Sequence, residues 1–285
     1  MPAGVRLSFL SNTISVSGKL VDADPESARL DLCCDGQFVG SAEIAGQEGF
    51  AFDRLPPNVT GQPRLIELWL PQFGIFRLRS LALSAGAGVS PVQDHRPRWI
   101  TYGSSITQCR GAESPTQTWP AIVARARGYN LTCMGFGGEC HLDTMVARTI
   151  RDRPADLISL CLGINVYGGA SLSPRTFRPA VIGFVQTVRE GHPDIPLIVM
   201  SPIYSPPREE TANVVGFDLP WMRQEVATAV RTLQQHGDDQ IHYVNGLEIL
   251  GPDHAHLLPD SLHPNAEGYK LMGKNITDIF ANLLG

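Results

Sequence analysis

A serine acting as a nucleophile needs a base, a group that orients the base, and donors for the charge that grows on the attacked oxygen. Four stretches of this 285-residue chain supply those residue types. In Tyr102-Gly103-Ser104-Ser105-Ile106-Thr107, the glycine allows a tight exit from an apolar run and places Ser105 at the opening of the next segment, hydroxyl outward and N–H unpaired. In Asp260-Ser261-Leu262-His263-Pro264, a three-residue step in a helical turn puts carboxylate and imidazole on one side. There an ionised Asp260 would fix the ring tautomer of His263. Gly138, in Gly135-Phe136-Gly137-Gly138-Glu139, and Asn165, in Leu162-Gly163-Ile164-Asn165-Val166, offer a backbone N–H and a side-chain amide which, with the Ser105 N–H, suit an oxyanion. Each stretch alone fits something plainer: Gly-Ser-Ser is also turn or cap chemistry, Asp-x-x-His-Pro also opens surface helices, and glycine-rich segments are turns. The order and placement of all four point to acyl transfer.

The elements around them read as two grammars. Residues 5 to 83 carry short alternating runs, such as Ile14–Ser17, Ala28–Leu32, Leu65–Leu70 and Ile75–Leu81, broken by Gly, Pro and Asp-Gly. That pattern predicts a small all-β sandwich over 1–83. The stretch 84–95 loses periodicity and gathers small residues, as a linker does. From 96 to 285 apolar runs (Trp99–Tyr102, Leu131–Met134, Leu157–Leu162, Pro196–Met200, Ile241–Val244) alternate with segments of helical periodicity (Thr118–Arg127, Thr144–Ile150, Arg175–Glu190, Trp221–His236, Ala266–Leu284). This predicts an α/β unit, a parallel sheet with helices on both faces. In such a sheet ligands bind beyond the carboxyl ends of the strands, where three of the four stretches fall. The Pro-rich stretch 205–220 is long for a connection and suits a lid or acceptor wall, with Tyr167, Tyr204 and Trp221 as candidate substrate-binding residues.

The four ordered blocks resemble the SGNH or GDSL-like hydrolases over roughly residues 97 to 285. Ser105 matches that family's nucleophile, Gly138 its oxyanion glycine, Asn165 the Asn of its Gly-x-Asn-Asp block, and Asp260 with His263 its terminal Asp-x-x-His. The resemblance implies a flavodoxin-like three-layer α/β/α fold and a serine esterase or acyltransferase working through an acyl-enzyme without a cofactor. Its substrate would be a carbohydrate or small-molecule ester, with an alcohol acceptor if the acyl group is transferred. A β-rich segment ahead of the catalytic unit also resembles some carbohydrate esterases and natural-product acyltransferases. Two positions depart from the pattern: Ser104 and Val166 stand where the family usually has Asp.

Composition removes other classes. With 43% hydrophobic and 18% charged residues, a disordered chain or coiled coil is excluded. A net charge of −5, negative on both sides of residue 92, gives nucleic acid no basic footprint. No membrane span or secretory signal is read in the sequence, so the expected compartment is the cytoplasm, where the six cysteines would stay reduced. Asn58-Val59-Thr60, Asn130-Leu131-Thr132 and Asn275-Ile276-Thr277 match the glycosylation pattern and are read as coincidences in that compartment. Asp253-His254-Ala255-His256, completed by His263 or His141, is the metal alternative, and a non-catalytic carbohydrate-binding protein is the other rival.

Overall fold

The computed structural model describes residues 3–21, 24–57 and 61–285, so the pattern at Asn58–Thr60 lies outside the described residues. Eight strands come first: β1 (Arg6–Ser11), β2 (Val16–Leu20), β3 (Leu30–Cys34), β4 (Gln37–Ala42), β5 (Gly49–Phe52), β6 (Arg64–Trp69), β7 (Leu78–Leu83) and β8 (Val89–Pro91). They form two antiparallel sheets, β4-β3-β6-β1-β8 and β5-β2-β7. Asp35 and Gly36, both at positive φ (49° and 76°), make the two-residue turn joining β3 to β4, the geometry that matches strand twist. The expected connector at 84–95 contributes β8, which pairs with the outer edge of β1. Three residues are too few for alternation to register in the sequence, yet they cover backbone groups that would otherwise stand unpaired.

The central strands β3 and β6 of the larger of these two sheets are buried on both faces, and the period of two sorts their residues. Leu30, Leu32, Ile66 and Leu68 face the smaller sheet and pack with Val16, Phe50 and Phe52. The alternate positions Asp31, Cys33, Glu67 and Trp69 face the rest of the molecule, where Cys33 and Trp69 join the cluster around Trp99 and Trp119. Both carboxylates of that face are engaged. Asp31, fully buried, accepts from Ser114 Oγ (2.5 Å), Thr116 Oγ1 (2.6 Å), Thr116 N–H (2.9 Å) and Ser41 Oγ (2.6 Å). Glu67 takes Arg6 and Arg96, and Arg6 reaches on to Asn130 Oδ1 at 2.6 Å.

The remaining strands, β9 (Arg98–Gly103), β10 (Asn130–Gly135), β11 (Leu157–Cys161), β12 (Leu197–Met200) and β13 (Ile241–Val244), form one parallel sheet in the order β10-β9-β11-β12-β13. The helices are α1 (Ser105–Gln108), α2 (Trp119–Arg127), α3 (Thr144–Arg151), α4 (Ile164–Gly169), α5 (Pro174–Arg189), α6 (Pro206–Glu210), α7 (Leu219–Gln235), α8 (Gly246–Ile249) and α9 (Ala266–Leu284). Strand alternation builds one core with α3, α5 and α7 from Ile100, Tyr102, Ile158, Leu160, Leu197 and Val199. The other, with α2 and α9, takes Trp99, Leu157, Ile198 and Met200. This is the three-layer flavodoxin-like arrangement. The strand order reverses at β9, with β10 on one side and β11 to β13 on the other, so the crevice opens beyond the carboxyl ends of β9 and β11.

Candidate active site

Ser105 is the first residue of α1, immediately beyond β9. Ser104 precedes it as the helix cap, its Oγ accepting from Ile106 N–H at 3.2 Å. The position where the family pattern has Asp therefore keeps a capping oxygen without the charge. α1 sits directly on the end of β10, where a Cβ at Gly135 would come within 2.3 Å of Gln108 N. Only glycine permits that approach, and it brings the 135–138 turn beside the serine: a Cβ on Gly137 would stand 3.7 Å from Ser105 Cβ.

His263 lies in the turn before α9. Its Nδ1–H donates to Asp260 Oδ2 at 2.6 Å, and its Nε2 stands 2.8 Å from Ser105 Oγ. A carboxylate only accepts, so Nδ1 carries the ring proton and Nε2 is left as acceptor for the serine hydroxyl. The second carboxylate oxygen of Asp260 accepts the N–H groups of Leu262 (3.0 Å) and His263 (2.7 Å), closing the turn on itself. Burial raises the Asp260 carboxyl, but the bonds from the His263 ring and from these two N–H groups outweigh it and hold the group at about 2. Asp260 is thus ionised at neutral pH and fixes both the tautomer and the direction of the imidazole.

Asn165, second residue of α4, accepts Cys140 N–H on its Oδ1 at 3.0 Å, which turns the amide donors the other way. Gly138 sits at φ 80° in the neighbouring turn. Val166 is fully buried in the sheet core, so the second departure from the family pattern is a packing position.

Ser105, Asp260 and His263 share one open cleft of about 800 Å³ with Phe73, Arg110 and Tyr269. Phe73 comes from the loop after β6, and the Arg110 guanidinium lies over its ring, 3.7 Å from the centroid. Neither residue carried a signal in the sequence, because their pairing joins positions far apart in the chain. Tyr167, Tyr204 and Trp221, expected to bind substrate, do not border this cleft. Tyr167 donates its hydroxyl to Thr211 O (2.8 Å), Tyr204 packs against the core around Trp119, and Trp221 leans on Phe217 at 5.2 Å between ring centres. His254 and His256 lie with ring centres 6.4 Å apart, and among the described residues no third His, Cys, Asp or Glu joins them.

The model of the GDSL-like lipase/acylhydrolase family matches residues 101–271, which spans the serine, the glycine turn, the asparagine and the Asp-x-x-His turn. The chain belongs to that family. It is accordingly an enzyme of serine-dependent acyl transfer, a chemistry that in this family ends in hydrolysis or in transfer. Among solved structures, the salicylyl-acyltransferase SsfX3 from a tetracycline biosynthetic pathway is 33% identical over 99% of this chain and 83% of its own, with a TM-score of 0.89. A GDSL-like lipase candidate from Bacteroides ovatus is 26% identical over 99% of this chain and 85% of its own, with a TM-score of 0.78. An active-site mutant of a family two carbohydrate esterase from Clostridium thermocellum shares the fold at 14% identity and a TM-score of 0.73, over 99% and 93% of the two chains. These alignments include the β-rich region as well as the family domain. No curated protein matches the chain in sequence. Among the described residues, no helix is long and apolar enough to cross a membrane.

Proposed function

We propose that Ser105 is the nucleophile, His263 the general base and acid, and Asp260 the residue that orients it. The observation carrying this is the unbroken relay of 2.8 Å and 2.6 Å from Ser105 Oγ through the His263 ring to Asp260, facing an open cleft. His263 Nε2 takes the hydroxyl proton as Ser105 Oγ attacks the ester carbonyl. The oxyanion is received by the N–H groups of Ser105 and Gly138 and by Asn165 Nδ2. Collapse expels the alcohol, which leaves with the proton from His263, and the acyl group remains on Ser105. Water then gives the acid, and an alcohol gives a new ester by the same steps in reverse.

Hydrolysis of a carboxylic ester is the first reading. Transfer is supported by the cleft itself: Phe73 of the β-rich region and the Arg110 guanidinium over its ring line the same cleft as Ser105 and His263, so a large alcohol bound there would displace water from the acyl-enzyme. In this reading residues 1–83 are an accessory unit that walls the cleft, 84–95 the connection, and 96–285 the catalytic unit. The acyl donor is a small-molecule or carbohydrate ester, and the six free thiols among the described residues suit the cytoplasm. The test is treatment with a fluorophosphonate, with the adduct located by peptide mass, followed by turnover of p-nitrophenyl esters with and without added sugars and polycyclic phenols. Adduct on Ser105 supports the assignment, and the ratio of acid to new ester separates the two fates. Adduct elsewhere, or none, rejects it.

A further inference from the structure

The turn that carries Gly138 is laced to α4 at both ends. At one end Cys140 N–H holds Asn165 Oδ1 at 3.0 Å. At the other the imidazole of His141 bridges two groups: its Nε2 lies 2.9 Å from Gly138 O, and its Nδ1 lies 2.7 Å from Oγ of Ser171, two residues beyond the end of α4. A carbonyl oxygen only accepts, so Nε2 carries the ring proton and Nδ1 accepts from the Ser171 hydroxyl. The ring lies on bare backbone, since a Cβ on Gly169 would stand 2.9 Å from His141 Cε1. Nothing in the Ser105–His263–Asp260 relay calls for this histidine, and it reaches none of those three side chains by hydrogen bond.

We infer that His141 is a positioning residue of the oxyanion site: by holding Gly138 O against α4 it fixes the aim of the Gly138 N–H relative to the Asn165 amide. The inference rests on the assignment of Gly138 and Asn165 as oxyanion donors. Gly138 sits at φ 80°, where a glycine has wide freedom to rotate, and its two flanking peptide planes are not fixed by its own side chain. The bond from His141 removes that freedom at the carbonyl, and the Cys140–Asn165 bond ties the same turn to the second donor. A donor out of place by about an ångström costs up to two decades in rate, so the bridge acts on the transition state and leaves ground-state binding alone.

The side-chain lengths supply a discriminating test. The amide nitrogen of glutamine is as many bonds from Cα as Nε2 of histidine, whereas that of asparagine matches Nδ1. His141→Gln therefore restores the bond to Gly138 O, and His141→Asn restores only the reach toward Ser171. The readouts are kinact and KI for phosphonylation of Ser105 by a fluorophosphonate, and kcat and KM for p-nitrophenyl acetate. His141→Ala is expected to lower kinact and kcat by about 10- to 100-fold with KI and KM within about twofold of the parent. His141→Gln should recover most of the loss, and His141→Asn should not. Gly169→Ala, which displaces the ring, should reproduce the fall in part. Should His141→Ala fail to fold, the Gln and Asn pair with Gly169→Ala decides the matter. Parent-like rates in His141→Ala, or equal rates for Gln and Asn, overturn the inference. Asn165→Asp run alongside separates the two levels. If it too is as fast as the parent, the oxyanion assignment itself fails; if it is slow while His141→Ala is fast, only the role of His141 falls.

Discussion

The backbone N–H of Cys140 bonds Asn165 Oδ1 at 3.0 Å, and this single contact fixes which end of the amide is engaged and leaves Nδ2 as the donor end. Asn165→Asp keeps the oxygen for Cys140 and removes the donor. The expected result for both Asn165→Asp and Asn165→Ala is a fall in kcat of about 10²- to 10³-fold, corresponding to about 3 kcal/mol of barrier, with the thermal midpoint of the Asp variant near that of the parent. Steady-state kinetics beside a melting curve checks it. An Asp variant with parent activity would mean that the amide nitrogen stabilises nothing.

Asp260 links the site to acid stability. Its carboxyl is held at about 2 against an ordinary value of 3.8, so the unfolded chain binds the proton more readily than the folded one. The stabilisation is therefore complete above the unfolded value and drains away as pH falls through about 2. Asp156, held at about 2 chiefly by the Arg98 guanidinium, gives way in the same window. Urea midpoints measured from about pH 5 to about pH 2 should decline through that range, and less steeply in Asp260→Asn. An identical slope in the variant would remove Asp260 as a contributor. The same substitution should cut turnover at neutral pH by about 10²- to 10⁴-fold, because an amide permits the wrong ring tautomer.

Much of this arrangement was legible in the sequence because it rests on short-range grammar. The five apolar runs after residue 96 coincide with β9 to β13, and the helical periodicity found α2, α3, α5, α7 and α9, since burial on both sheet faces leaves continuous runs and one-sided helices. The serine, glycine, asparagine and Asp-x-x-His turns were likewise local. Phe73 against Arg110, Asp31 beneath Thr116, and His141 between Gly138 and Ser171 were not, because each is a meeting of segments set by tertiary packing. Tyr167, Tyr204 and Trp221 stand out in the sequence only as aromatic residues near a long loop; the two tyrosines are half-buried against the cores, exposed Trp221 leans on Phe217, and none of them lines the cleft.

Asp31 tests whether the β-rich region is welded to the catalytic unit. Asp31→Ala strips the buried Ser114 and Thr116 donors, and the exposed Ser41 hydroxyl, of their shared acceptor. A loss of about 3 kcal/mol is expected, since hydroxyls can turn elsewhere but the Thr116 N–H cannot. Asp31→Asn, which keeps one acceptor oxygen, should lose less. Urea unfolding measures both, and a change below about 0.5 kcal/mol in the Ala variant would show the contact to be idle.

The thiols should be bystanders. Burial pushes Cys133, Cys140 and Cys161 up to about 12, so almost no thiolate exists at neutral pH. Iodoacetamide at pH 8 should leave these three unmodified in the folded protein while activity persists, as read by peptide mass and an ester assay. Rapid alkylation of any of them, with loss of turnover, would contradict this.

The central claim is that an acyl group passes through Ser105 under the control of His263. Rapid quenching after mixing with p-nitrophenyl acetate, followed by peptide mass analysis, tests it most directly. The account predicts a burst of p-nitrophenol stoichiometric with enzyme and acetyl on Ser105 in the parent, and neither in Ser105→Ala or His263→Ala. Acetyl on another residue, or turnover that survives Ser105→Ala, would contradict it.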